Sequence, residues 1–101
     1  MRTIEQQSVD LAFSQKAVRN VTVVRRGEKE WYFTFEADDP VTSKPVTYAM
    51  LTQRGKLRVW ADPRNLFEFL KDRGVSSGMF KLQEESSNEI NKITESSSNK
   101  P

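Results

Sequence analysis

The 101-residue sequence contains no cysteine and no histidine. The first absence excludes disulfide bonds and thiol nucleophiles, and the second excludes histidine as a general base or metal ligand. The four glycines are scattered singly along the chain, so no glycine-rich phosphate-binding loop can form. The sequence therefore predicts a protein that is not an enzyme and that has no catalytic residues, no cofactor and no metal site.

Long hydrophobic runs are also missing from the sequence. The N-terminal residues lack the apolar stretch of a signal peptide, and no window approaches the roughly 18 apolar residues of a membrane-spanning helix. We therefore expect a cytoplasmic protein that makes no contact with a membrane.

The composition of the chain changes near residue 83. From Gln83 onward the only apolar side chains before the terminal proline are Ile90 and Ile93, and no aromatic residue is present. Such a segment buries too little apolar surface to offset the entropy that ordering would cost. The sequence predicts one folded domain over residues 1–83 and a disordered polar tail over residues 84–101.

Alternating and β-branched residues predict a β-sheet. Trp31, Phe33 and Phe35 alternate with polar residues, which places three rings on one strand face. These rings are typical of the core of a small sheet, although an exposed base-stacking surface is the alternative. Gly55 lies between two strand-like runs and predicts a tight hairpin. The predicted strands span residues 20–26, 31–37, 46–53, 56–61 and 79–83.

Two helices accompany these strands. Asp62 before Pro63 is typical of a helix start, and Gly74 is typical of a helix end, which predicts a helix over residues 63–73. Composition also favours a short helix over residues 8–18. The predicted fold class is α+β: a small, mainly antiparallel sheet of four or five strands, packed by one or two short helices.

One longer pattern links several of these elements. An Arg-Gly hairpin with a further arginine three residues on is followed by a short leucine-striped helix, a terminal glycine and a closing strand. The residues that carry it are Arg54, Gly55, Arg58, Leu66, Leu70, Gly74, Phe80 and Leu82. This pattern resembles a small class of plasmid-borne or mobile-element accessory proteins, some of them described as ParC-like and partition-associated. The resemblance implies an origin on a mobile element and implies no activity.

Positive charge is concentrated at two predicted turns, one near Gly27 and one at Arg54-Gly55. If the turns are neighbours, they form a basic patch able to contact phosphates of DNA or RNA. The alternative is that both turns are simply solvated, with Arg58 lying over Trp60. The candidate contact residues, with one aromatic from the preceding strand, are Arg25, Arg26, Lys29, Arg54, Lys56, Arg58, Trp60 and Tyr48.

Aromatic side chains suggest a protein interface instead. We expect Tyr32, Tyr48 and Trp60 to project from an open face or edge of the sheet, where aromatic and arginine side chains commonly anchor protein partners. The sequence therefore predicts a non-enzymatic binding module that acts by contact with a protein partner. Nucleic-acid binding is the alternative, and an exposed strand edge would also permit a homodimer.

Overall fold

The structure is a computed structural model that describes residues 1–84. Its elements are, in chain order, β1 (Arg2–Glu5), α1 (Gln6–Ser14), β2 (Arg19–Gly27), β3 (Glu30–Asp38), β4 (Pro45–Leu51), α2 (Pro63–Asp72) and β5 (Met79–Lys81). The α+β class predicted from the sequence is confirmed. The predicted disordered tail lies outside the described residues, apart from Glu84.

The five strands form one mixed sheet in the order β1-β4-β3-β2-β5. Strand β3 is antiparallel to both of its neighbours, whereas β1 runs parallel to β4 and β5 runs parallel to β2. The predicted sheet of four or five strands is therefore confirmed, as a mixed sheet whose two central pairings are antiparallel and whose two edge pairings are parallel. The edge pairings are parallel because α1 and α2 act as crossover connections, which return the chain in the direction of the preceding strand. The C-terminal residues of β1, β2, β4 and β5 consequently lie at the same end of the sheet.

Both helices pack on one face of the sheet, and this face carries the core. Phe33 and Phe35 of β3 are almost fully buried there, together with Val9 of α1 and Leu66 of α2. Trp31 is partly buried against the same cluster. The interpretation of the β3 rings as core is therefore confirmed, and they do not form an exposed stacking surface.

Local sequence signals fix the ends of α2. The Asp62 side chain accepts a hydrogen bond from the Arg64 backbone N–H at 2.9 Å, and Pro63 occupies the first helical position. Gly74 follows the helix with a φ of +90° and donates its backbone N–H to the Lys71 carbonyl at 2.9 Å. Only a residue without a Cβ adopts this φ at little cost. Both predicted end signals are confirmed.

Three segments differ from the prediction. Residues 2–5 contain a single apolar side chain and predict no strand, yet they pair in parallel with β4. The first helix covers Gln6–Ser14 and not residues 8–18, and Lys16 just beyond it has a positive φ of 57°. Residues 56–61 form two isolated β-bridges and no continuous strand.

Asp39, in the loop between β3 and β4, is the one buried charged residue in the described part of the chain. It forms an ion pair with Arg2 of the edge strand β1 and accepts backbone N–H groups from Val41 at 2.7 Å and Thr42 at 2.9 Å. The Arg2 guanidinium, followed by these two N–H groups, lowers the pKa of Asp39 to about 2. Asp39 therefore fastens β1 to the body of the sheet.

We expect Asp39→Asn to destabilise the protein at neutral pH and progressively less in acid. The folded-state pKa of about 2 lies below the ordinary 3.8, so the stabilisation is present above pH 3.8 and is lost as the pH falls toward 2. Urea unfolding of both proteins across this range measures the difference. Asp72→Asn, at an exposed aspartate that forms no ion pair within residues 1–84, is the control, and a difference that does not depend on pH would contradict the assignment.

Candidate functional site

Both basic turns lie at the end of the sheet where β1, β2, β4 and β5 finish, which we call the basic end. One turn joins β2 to β3, and the other is the hairpin of residues 52–56 that follows β4. In this hairpin Thr52 donates its backbone N–H to the Lys56 carbonyl at 2.6 Å, and Gly55 has the positive φ, +80°, that the turn requires. The backbones of Trp31 and Trp60 exchange hydrogen bonds of 2.9 and 2.7 Å. These bonds tie the segment that follows the hairpin to the start of β3.

Most arginines among the described residues form ion pairs, whereas three at the basic end do not. Five of the eight arginines pair with a carboxylate, namely Arg2, Arg19, Arg26, Arg64 and Arg73. The three that form no ion pair within residues 1–84, Arg25, Arg54 and Arg58, all lie at the basic end. Lys29 and Lys56 occupy its two turns. Arg26, predicted as a contact residue, is instead held by Glu30 at 3.0 Å.

A row of contacting side chains runs from Arg58 toward α1. The Arg58 guanidinium carbon lies 4.5 Å from the centroid of the Trp60 ring, whose centroid lies 5.2 Å from that of Phe69. Arg73 covers the Phe69 ring at 3.5 Å, and its Nε donates to Asp10 Oδ1 at 2.6 Å. The prediction that Arg58 lies over Trp60 is confirmed. The row links the hairpin, α2 and α1 in one assembly.

The prediction that three aromatic rings project from the sheet is wrong. Trp60 and Tyr48 are only 6% and 8% exposed and belong to the core, where Tyr48 stacks on Phe35 at 5.6 Å. Tyr32 lies on the opposite face, and its hydroxyl donates to Glu84 Oε2 at 2.7 Å. Burial, and then this bond, raise the pKa of Tyr32 to about 12. Strand alternation alone does not tell which face the helices cover, so the sequence could not decide between core and surface.

A cleft of about 900 Å³ opens between the start of α1 and the hairpin. Its α1 side consists of Glu5, Gln6, Gln7 and Asp10, and its other side of residues 50–55 and Arg58. The structure therefore brings Arg54 and Arg58 together with an α1 wall that was not predicted. Tyr48 does not line the cleft. No sequence signal marks the α1 wall, because its position depends on the pairing of β1 with β4.

The lining of this cleft contains both hydrogen-bond donors and hydrogen-bond acceptors. The guanidinium groups of Arg54 and Arg58 donate hydrogen bonds, the carboxylates of Glu5 and Asp10 accept them, and the side-chain amides on both walls do both. Glu5 is the N-cap residue of α1 but makes no side-chain cap hydrogen bond. The site can thus satisfy a ligand that offers donors and acceptors side by side.

Comparisons with known proteins assign no family to this chain. It matches no protein-family model, and no curated protein is significantly similar to it. Between residues 1 and 84, no helix is long and apolar enough to cross a membrane, and no three carboxylates cluster closely enough to hold a metal ion.

Proposed function

We propose that the protein is a non-enzymatic binding module whose cleft holds a short acidic peptide segment of a protein partner. The observation that carries the proposal is the position of Arg54 and Arg58, which line the cleft without a carboxylate partner among the described residues. The resemblance to plasmid-borne accessory proteins makes a host or plasmid protein in the cytoplasm the proposed partner. The mobile-element origin and the location stay predictions.

The mixed lining favours a peptide over a nucleic acid inside the cleft. A peptide backbone presents N–H and C=O groups together, which the amides of Gln7 and Gln53 and the carboxylates of Glu5 and Asp10 can pair. A phosphate chain offers acceptors only, so it has no donor to pair with those carboxylates, whereas a peptide backbone has its N–H groups. Acidic side chains of the peptide would find the two arginines, where charge-assisted hydrogen bonds contribute about 1.5–3 kcal/mol each.

Arg58 is the better preorganised of the two arginines. Its guanidinium group lies over the Trp60 ring, so less side-chain freedom is lost when it donates to a carboxylate. Arg54 lies in the exposed turn of the hairpin and can adjust to the ligand. We therefore expect Arg58 to set the position of an acidic side chain and Arg54 to contribute mainly charge.

The proposal is tested with pairs of short peptides, one rich in Asp and Glu and the other with Asn and Gln at the same positions. The acidic peptides are expected to shift the backbone resonances of Gln7, Gln53 and Arg58 in an NMR titration, and the amide versions are not. Equal shifts for both sets, or shifts confined to residues outside the cleft, would contradict the assigned ligand.

We expect Arg54→Glu to weaken acidic-peptide binding at least tenfold, because one charge-assisted pair is replaced by a like-charge contact. Lys44→Glu is the matched control. It makes the same change in net charge on an exposed residue of the β3–β4 loop, at the opposite end of the sheet, and should change affinity less than twofold. Equal losses in the two variants would show a nonspecific charge effect and no cleft contact.

Nucleic-acid binding is the second candidate, favoured by the five cations of the two turns: Arg25, Lys29, Arg54, Lys56 and Arg58. Titration with labelled single- and double-stranded DNA at two salt concentrations separates the two functions. Affinity that falls steeply with salt, and that Arg25→Ala and Lys29→Ala reduce, would favour this candidate over the peptide. Neither Arg25 nor Lys29 lines the cleft, so both substitutions should leave peptide binding unchanged.

A further inference from the structure

The sheet edge opposite the cleft carries an apolar patch. Phe67 of α2 and Phe80 of β5 meet edge to face, with ring centroids 5.8 Å apart. These two side chains are 38% and 58% exposed, and the neighbouring Met79 and Leu82 are 67% and 64% exposed. Three of the four, Phe67, Met79 and Phe80, border a groove of about 330 Å³ between α2 and β5. We call these four residues the β5 patch.

Strand β5 is also an open edge of the sheet. It pairs with β2 on one side only, with Phe80 opposite Val23. Gly78 brings the strand close to β2, since a Cβ at this position would lie 2.6 Å from the Val21 carbonyl oxygen. After the strand, the chain turns toward the opposite face of the sheet, where Glu84 accepts the Tyr32 hydroxyl. The described residues therefore leave the outer edge of β5 uncovered.

The other edge of the sheet is built differently. In β1, Arg2 and Glu5 are charged and exposed, and Ile4 packs partly against the core. Charged side chains on an edge strand are a common protection against pairing with another chain. The β5 edge has instead two exposed apolar residues, Met79 and Phe80, in a strand of three.

From these features we propose that β5 pairs with β5 of a second copy of this chain and forms a symmetric homodimer. Antiparallel pairing centred on Phe80 sets Phe80 against Phe80 of the second copy, and Met79 against Lys81. Lys81 then faces an apolar side chain, not another lysine, so the arrangement has no like-charge contact along the strand pair. Phe67 and Phe80 of both copies would form one four-ring cluster. This self-complementarity is what favours a second copy over an unrelated partner.

The exposed area predicts a weak dimer. If a whole large apolar side chain presents roughly 200 Å², the β5 patch offers roughly 450 Å² per copy. Stable complexes bury about 800 Å² per partner. The added backbone hydrogen bonds make up part of the difference, and we expect a dissociation constant in the micromolar range. The two clefts would lie at opposite edges of a continuous ten-stranded sheet, so this proposal does not depend on what the clefts bind.

Sedimentation equilibrium of the full chain between about 5 and 500 µM tests the dimer. The apparent mass is expected to rise from monomer toward dimer with concentration. Phe80→Asp should raise the dissociation constant at least tenfold, whereas Leu11→Asp, at a similarly exposed position on α1 (56%), should leave it unchanged. A monomer at every concentration, or equal weakening by both variants, would overturn the proposal.

A second pair of variants tests the pairing register and guards against local unfolding. Met79→Lys places two lysines opposite each other across the proposed pair and is expected to abolish the dimer. Adding Lys81→Glu to it converts these contacts into opposite-charge pairs and should restore dimerisation. Circular dichroism melting of each variant shows whether the fold is intact. Failure of the double variant to dimerise while remaining folded would overturn the antiparallel register centred on Phe80.

Discussion

Trp60→Ala is expected to leave the protein largely unfolded or close to its unfolding midpoint at room temperature. The ring is 6% exposed, and its centroid lies 6.0 Å from that of Phe33 and 5.2 Å from that of Phe69. Removing a buried Trp costs about 3–5 kcal/mol, because the transfer energy is lost and a cavity remains. A single core of this size supplies only about 3–5 kcal/mol in total. The substitution therefore removes most of the available stability.

Urea unfolding followed by far-ultraviolet circular dichroism measures this effect without relying on tryptophan fluorescence. Trp60→Phe is the matched control, since it keeps an aromatic ring between Phe33 and Phe69 and should lose markedly less stability than the alanine variant. An alanine variant with an unchanged unfolding midpoint would mean that Trp60 projects from the sheet, as its sequence position suggests. The alanine substitution also removes the ring over which the Arg58 guanidinium lies.

Leu66→Ala is expected to cost about 2–5 kcal/mol, the range for deleting a fully buried leucine side chain. Leu66 is 0% exposed and is one of two buried residues through which α2 packs on the sheet. Loss of this contact should loosen α2 and, with it, the contacts that Arg73 makes with Phe69 and with Asp10, which lines the cleft. Thermal and urea unfolding report the stability, and the near-ultraviolet signal of the aromatic cluster reports the packing.

Leu11→Ala provides the matched control for this prediction. It makes the same chemical change in the other helix, at a side chain that is 56% exposed. We expect less than about 1 kcal/mol there, because surface substitutions rarely exceed this. Similar losses at Leu11 and Leu66 would contradict the packing of α2 described above.

The elements that the sequence predicts well are those whose cause is local. Asp62, Pro63 and Gly74 define α2 through caps and backbone conformation within a few residues, and Gly55 defines the hairpin in the same way. The alternation of Phe33 with its neighbours identifies a half-buried strand without knowledge of what covers it. These signals are sufficient to establish the α+β class.

The features that escape prediction depend on contacts between distant residues. Strand β1 has Ile4 as its single apolar side chain and exists because its backbone pairs with β4. Arg73 follows α2 and donates to the Phe69 carbonyl at 3.0 Å, a contact that a cation at the end of a helix commonly makes. Its bond to Asp10, 63 residues away, has no local signal. Half of the cleft was therefore foreseeable from the hairpin, and the α1 wall was not.

The placement of the first and last strands also has a consequence for how the sheet assembles. Strands β2, β3 and β4 follow one another along the chain as a meander, which closes through short loops. The paired residues of β1 and β4, such as Arg2 and Tyr48, lie 46 positions apart, and those of β2 and β5, such as Thr22 and Met79, lie 57 positions apart. These pairings therefore cost more chain entropy. We therefore expect the meander to form the folding nucleus and the outer strands to dock last and detach first. Amide hydrogen exchange would show this as the earliest loss of protection in the two strands nearest the chain ends.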